Sequence, residues 1–283
     1  MKQGYKNIIR AVEKSGEIVL SYFGKSLITQ SKGAPLNFVT EADLQSEKNL
    51  IQAVKKEFPT YNIQSEEAGF IDNKSDYSFI MDPLDGTINL KKGIPYFSVT
   101  LALLKNDEAI FTVTNNPVTK QTFYALRGRG AYLNGRRIRV NKVKNFAETI
   151  ASYSCGWQTP RSRARDLMKK LNRLGINRVL TNWAPVFDFC LLASGKIEAM
   201  ICYNNELHDF VGGLLLVREA GGKITDYDGN PLKNDRANTF LMTNGTSIHS
   251  LYLGGWIPSP SGDNFSIIWS YDQRIPQRHT HHI

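Results

Sequence analysis

The chain has 283 residues, 41% of them hydrophobic and 22% charged, a globular composition with ample apolar content for a core. No stretch approaches the roughly 20 consecutive apolar residues of a membrane span, and Met1 to Tyr5 leads straight into amphipathic sequence, so we expect no signal peptide, no membrane partner and a cytoplasmic location. A formal net charge of +9 keeps a basic, nucleic-acid-associated binding protein in view as a rival class.

In chain order, apolar positions at helical spacing (Ile8, Val12, Ile18, Val19, Tyr22) predict a helix over residues 4–23, stopped by Gly24. Leu44, Leu50, Ile51, Val54 and Phe58 repeat the pattern over 41–58, up to Pro59. A strand is expected over 61–64. Another runs through Tyr77, Phe79, Ile80 and Met81, broken sharply by Pro83 and Gly86. Segments 97–104, 109–114 and 121–126 read as strands, followed by a hairpin turning at Asn134-Gly135. After about residue 145 the order becomes mixed: strand 150–154, helix 161–174, a strand at Val179, and helix 184–194 with Pro185 in its first turn. Strand 196–203 and helix 209–220 follow, the latter closed by Gly221-Gly222, and strands 223–226 and 239–243 complete the sheets. Helices, then strands, then mixed units indicate α+β layers. The expected organisation is an N-terminal α+β subdomain over 1–145, a C-terminal α/β subdomain over 146–253 and an irregular tail over 254–283. Without a flexible linker, the two subdomains should share one interface with the active site in it.

The densest basic region, Arg161 to Arg178, carries an apolar stripe of Leu167, Met168, Leu171 and Leu174, so its arginines read as a solvent face rather than a nucleic-acid surface. Cys155, Cys190 and Cys202 show no metal-ligand spacing and are expected to be reduced core residues.

The chemistry is concentrated in Asp82-Pro83-Leu84-Asp85-Gly86, with Thr87 directly behind. Two carboxylates three residues apart, around a forced turn at a strand end, would project toward one point. Like charges there repel and raise each other's pKa unless a cation joins them. Hard oxygen donors suit Mg²⁺, which takes one or two carboxylates, waters and phosphate oxygens. The chain therefore reads as a metal-dependent phosphatase. A second acidic pair is Glu66-Glu67, and a further carboxylate, Asp209, opens the apolar stretch that ends at Glu219-Ala220-Gly221-Gly222. Taken singly, adjacent glutamates are ordinary solvated surface and Asp209 an ordinary first-turn acid. Asp43, in Thr40-Glu41-Ala42-Asp43, fits a capping box at least as well as a catalytic role. A helix beginning near Thr87 would aim its first N–H groups at a phosphate.

In combination, Thr40-Glu41-Ala42-Asp43, Glu66-Glu67, the Asp82-to-Thr87 run and His208-Asp209 with Glu219-Ala220-Gly221-Gly222 closely resemble the inositol monophosphatase family, over about residues 5–250. The resemblance implies an αβαβα sandwich that hydrolyses a small phosphate monoester of the inositol monophosphate kind. Fructose 1,6-bisphosphatase or another superfamily phosphatase is the alternative. It also implies two or three Mg²⁺ ions per site, a homodimer and inhibition by lithium. Carried over residue by residue, Glu66, Asp82, Asp85 and Asp209 would be side-chain metal ligands and the Leu84 carbonyl a further one. Thr87 and Asp43 would orient and activate the attacking water, with Glu67 assisting. Gly86 and Thr87 would offer N–H groups to the phosphate, and Ala184 would contact substrate.

Three positions depart from the family pattern. Asn182-Trp183-Ala184-Pro185-Val186 replaces a Gly-[Thr/Ser]-Ala-Ala run, putting Trp183 in place of a glycine on the wall that meets the alcohol. Cys202 stands where inositol-specific members place a glutamate that grips ring hydroxyls. His208 replaces a tryptophan and reads as a packing substitution. Lys32 lies in the mobile loop before Asp43, where relatives hold a third metal. The tail carries three histidines between His279 and His282, with no function assigned to them.

Overall fold

Residues 1–34, 36–156, 159–176 and 178–246 are described by the computed structural model, so the tail expected over 254–283 lies outside the described residues. Helix α1 (Gln3–Ser21) is followed by the hairpin β1 (Thr29–Ala34) and β2 (Asn37–Thr40), then α2 (Glu41–Glu57). Strands β3 (Asn62–Ser65), β4 (Gly69–Ile71) and β5 (Tyr77–Asp85) lead to the short α3 (Thr87–Lys92). A meander follows: β6 (Ser98–Lys105), β7 (Glu108–Asn116), β8 (Gln121–Leu126), β9 (Gly130–Leu133) and β10 (Arg136–Ile138). The remaining elements are β11 (Ile150–Cys155), α4 (Arg161–Arg173), β12 (Arg178–Leu180), α5 (Pro185–Ala193), β13 (Ala199–Tyr203), α6 (Leu207–Glu219), β14 (Lys223–Thr225) and β15 (Phe240–Thr243).

Among the described residues, one sheet has eight strands in the order β10-β9-β8-β7-β6-β5-β3-β4 and another has five in the order β12-β11-β13-β15-β14. The larger is antiparallel except where β3 runs parallel to β5; in the smaller, β11 runs parallel to both β12 and β13. Side-chain alternation along the strands builds the layers. On β6, Val99, Leu101 and Leu103 pack against Ile8, Val12, Leu50 and Val54 of α1 and α2, while Ala102 and Leu104 face α5 and α6. On β13, Met200 and Cys202 join that same central helical layer, while Ala199 and Ile201 meet Leu167 and Leu171 of α4. The result is an αβαβα stack, with α5 and α6 sandwiched between the sheets. Close approach in that central layer requires Gly212 and Gly213: a Cβ on Gly213 would lie 2.3 Å from Phe189, and one on Gly212 2.5 Å from Thr112.

Several expectations need correction. Strand β5 does not end at Pro83 but continues to Asp85. Strand β13 starts at Ala199, three residues later than expected, because Gly195 turns the chain with φ +71°. Leu44 is 49% exposed and Leu174 37% exposed, so neither belongs to the buried stripe of its helix. Cys190 and Cys202 are buried, whereas Cys155 is exposed. Among the described residues, no helix is long and apolar enough to cross a membrane.

Candidate active site

Asp82 pairs with Thr100 of β6 and Asp85 with Ser98, so three steps along β5 are matched by two along β6. The extra residue makes a β-bulge. In a regular strand, positions three apart face opposite sides; one inserted residue turns Asp85 to the side of Asp82. Pro83 sits in that irregularity, where its missing N–H breaks no ladder bond. Its carbonyl accepts from Ser46 Oγ at 2.6 Å, while Leu84 N donates to Asp82 Oδ1 at 2.9 Å. Ile80, two residues before Asp82, faces the central helical layer. The two aspartates therefore face that layer as well, and Asp85 Oδ2 accepts from Phe187 N of α5 (3.3 Å) and from Ser98 Oγ (3.1 Å).

The chain leaves the bulge through Gly86, whose φ of +93° and close neighbours exclude a side chain: a Cβ would lie 3.0 Å from both the Ala184 Cβ and the Tyr96 carbonyl. Thr87 then opens α3, and its hydroxyl donates to Asp43 Oδ1 at 3.0 Å and to the Leu84 carbonyl at 3.1 Å. The other oxygen of Asp43 caps α2, accepting from Thr40 N at 2.8 Å and from the Thr40 hydroxyl. The capping and catalytic readings of Asp43 thus coexist, one carboxylate oxygen for each. Asp43 is 1% exposed, and burial, the largest influence, drives its pKa up to about 7 against the lowering effect of these hydrogen bonds.

One turn further along α2, on the same face, the buried Glu47 organises the second acidic pair. Its Oε1 accepts from Ser65 Oγ, from Glu67 N (3.2 Å) and from Ala68 N (2.9 Å). This residue was not anticipated from sequence, although its i+4 spacing from Asp43 is the signal that would have found it. The loop holds Glu66 and Glu67 against Lys32 of β1, which donates to Glu66 Oε1 at 2.8 Å and also to Glu67. Although burial works the other way, these carboxylates hold the Lys32 ammonium above its ordinary range. Burial raises Glu67 in spite of that contact.

Asp209 stands in the first turn of α6, where its Oδ2 accepts from Glu206 N at 3.2 Å and its Oδ1 lies 3.5 Å from His208 Nε2. Burial pushes its pKa to about 6, with His208 opposing and Glu66 adding to the rise. Asp82 is raised well above the carboxylate range by burial, then by Glu66, Asp85 and Asp209; Asp85 is raised by burial, then by Asp209. Glu66, Asp82, Asp85 and Asp209 therefore share one electrostatic neighbourhood. As their side chains stand, no three acidic, histidine or cysteine groups among the described residues form a ready ion cage. The donor chemistry nevertheless fits a hard divalent cation, because buried carboxylates driven toward protonation by mutual repulsion are stabilised by one.

Ala184 is buried against Gly86, and Trp183 beside it, which departs from the family pattern, is 62% exposed at φ +56°. Cys202 is fully buried in the central core and offers nothing to a pocket wall. Behind the site, the buried Asp188 of α5 accepts from the Tyr96 and Ser152 hydroxyls and from Asn182 Nδ2.

The chain is a layered α+β protein with carboxylates gathered beside a bulged strand and a helix start. The family model of the inositol monophosphatase family matches residues 1–254, and the chain belongs to that family. The fructose-1,6-bisphosphatase/inositol-1-monophosphatase of Thermotoga maritima is 30% identical over 237 residues, covering 84% of this chain and 90% of that protein. Nus factor SuhB of Pseudomonas aeruginosa is 32% identical over 234 residues, covering 78% and 84%. Among solved structures, the extragenic suppressor protein suhB of Bartonella henselae superposes with a TM-score of 0.83 at 27% identity, covering 90% of this chain and all of that one.

Proposed function

We propose that this chain hydrolyses a small phosphate monoester, of the inositol monophosphate or fructose 1,6-bisphosphate kind, to an alcohol and inorganic phosphate in a Mg²⁺-dependent reaction. The observation that carries the reading is the bulge that turns Asp82 and Asp85 to one face. Glu66, Asp82, Asp85 and Asp209, with the Leu84 carbonyl, are the groups that would hold the metal. Phosphate monoester hydrolysis is among the slowest uncatalysed reactions, and bound Mg²⁺ contributes by neutralising phosphoryl charge and lowering the pKa of water.

The chain's own residues do the rest. The N–H groups of Gly86 and Thr87, at the start of α3, lack helical partners and would meet the phosphoryl oxygens. Thr87 gives its proton to Asp43, so its oxygen is free to accept one from the attacking water. Asp43 Oδ2 is committed to Thr40, which fixes Oδ1 as the end of this two-residue relay. The water oxygen bonds to phosphorus, the ester P–O bond breaks, and the departing alkoxide takes a proton from solvent. Glu67, next to the proposed metal ligand Glu66, has a supporting role. In this reading residues 1–145 contribute most of the ligands, residues 146–253 contribute Asp209, and the protein works as a cytoplasmic homodimer.

The deciding experiment measures inorganic phosphate released from inositol 1-phosphate, fructose 1,6-bisphosphate, 3′-phosphoadenosine 5′-phosphate, histidinol phosphate and NADP, with and without Mg²⁺. Metal-dependent turnover of any one supports the reading and names the branch. Silence across the panel by folded protein overturns it. The Nus factor name of several relatives and the net charge of +9 would then favour a nucleic-acid-associated role, visible as RNA binding that weakens steeply with salt.

A further inference from the structure

We propose that Trp183 sets substrate specificity by stacking on a planar, π-bearing ring in the alcohol part of the ester. This rests on the phosphatase reading above. The indole combines two unfavourable features. It occupies the left-handed backbone region at φ +56°, which a bulky residue rarely adopts. It is also 62% exposed, and among the described residues it packs in no core cluster and meets no hydrogen-bond or ring partner. Strain of this kind persists only where the surroundings impose it, and such positions cluster at ligand-contacting sites.

The surroundings do impose it. Asn182, on one side, accepts at its backbone carbonyl from Asn89 Nδ2 of α3 at 2.8 Å and donates from its own Nδ2 to Asp188 Oδ1 at 3.2 Å. Ala184, on the other side, packs its methyl against Gly86. Both neighbours of Trp183 thus touch the Gly86-to-Asn89 segment, where α3 starts and the phosphate would sit. The indole leaves the backbone beside that point and projects into solvent. Its backbone is held beside the point from which the alcohol part of the ester would extend. Around it, Ala184 is apolar and Cys202 is buried, so neither offers a charged side chain for gripping hydroxyls. What remains is the face of a large aromatic ring, which binds planar rings through offset stacking. A nucleoside or aryl phosphate fits that description, which would extend the ester range proposed above beyond polyol phosphates.

The test compares kcat/KM for adenosine 5′-monophosphate and phenyl phosphate with that for glycerol 2-phosphate, in wild type, Trp183→Gly and Trp183→Phe. The expected result is a fall of about ten-fold in the aromatic-to-glycerol ratio for Trp183→Gly, with most of the ratio kept by Trp183→Phe. A ten-fold change corresponds to about 1.4 kcal/mol, within the range of one base stacked on an aromatic side chain. Trp183→Gly should also raise the melting temperature, since glycine tolerates the positive φ; a merely structural tryptophan would lower it. An unchanged ratio overturns the proposal, as does a fall seen with adenosine 5′-monophosphate but absent with phenyl phosphate. If wild type hydrolyses no ester at all, the phosphatase reading fails first. Calorimetric titration with adenosine 5′-monophosphate then decides: binding weakened in Trp183→Gly and kept in Trp183→Phe upholds stacking, and equal binding in all three proteins ends it.

Discussion

Lys32 Nζ lies 2.8 Å from Glu66 Oε1 and also donates to Glu67, so the β1–β2 hairpin inserts an ammonium among the carboxylates proposed to hold metal. All three side chains are at least three-quarters buried, at 24%, 25% and 11% exposure, so the contact is less screened than a surface ion pair. In the metal-free protein Lys32 offsets part of the repulsion that Glu66 exerts on Asp82, Asp43 and Asp209. Lys32→Gln should therefore lower metal-free stability by about 1–2 kcal/mol, between the values for exposed and buried pairs. The stabilisation conferred by Mg²⁺ should be larger in the variant than in wild type. Thermal melts in EDTA and in saturating Mg²⁺ check both. An equal Mg²⁺ increment in the two proteins would show that Lys32 and the metal do not share these carboxylates.

No local signal in the sequence links Lys32 to residues more than thirty positions away; the hairpin brings them together. Other features could be read from sequence for reasons the structure revises. Asp82 and Asp85 were expected to converge around a break at Pro83, yet they face one side because the strand continues through a bulge. Leu44 illustrates a failure of periodicity: the buried face of α2 is Ala42, Asp43, Ser46, Glu47, Leu50 and Val54. Three polar residues take positions an apolar stripe would normally fill, because that end of the helix supplies the site rather than the core. Leu44 is displaced to solvent as a result. The layered fold was more accessible, since alternation on β6 and β13 feeds both faces of each sheet and marks buried strands directly.

Asp82→Asn separates charge from shape. The amide keeps the volume of the carboxylate and can still accept from Leu84 N through its carbonyl oxygen. Turnover should be abolished and Mg²⁺-induced stabilisation largely lost. The metal-free variant should melt no lower than wild type, because the neutral amide carries none of the burial and repulsion cost that raises the Asp82 carboxyl. Near-normal phosphate release by this variant would remove Asp82 from the metal site.

Thr87 is tested by a pair of substitutions. Its hydroxyl is the link between Asp43 and the proposed water, so Thr87→Ala should lower kcat by about 10²–10⁴, the usual worth of positioned proton transfer. KM should change little, because the backbone N–H groups that meet the phosphate are untouched. Thr87→Ser retains the hydroxyl and should recover most of the rate. A serine variant as slow as the alanine variant would mean that the methyl group, and so packing rather than proton transfer, accounts for the loss. Stability should fall by about 1 kcal/mol in Thr87→Ala through the lost hydrogen bond to Asp43.

The buried acids also predict how metal-free stability depends on pH. Burial and mutual repulsion raise Asp43 to about 7 and Asp209 to about 6, and lift Asp82 and Asp85 well above their ordinary value. Each therefore holds a proton in the folded chain over a range where the unfolded chain has released it. Stability falls with rising pH wherever the folded state binds more protons. For Asp209 and Asp43 the contribution is present in full below about pH 4 and lost as pH rises through about 6 and about 7, and Asp82 and Asp85 act in the same direction. Bound Mg²⁺ favours the ionised carboxylates and removes that loss, so the difference in melting temperature between Mg²⁺ and EDTA should widen from about pH 5 to about pH 8. Taking the difference cancels titrations elsewhere in the chain. In Asp82→Asn the widening should shrink, since one of the titrating groups is gone. A difference that stays constant across this range would mean that these carboxylates do not bind the ion.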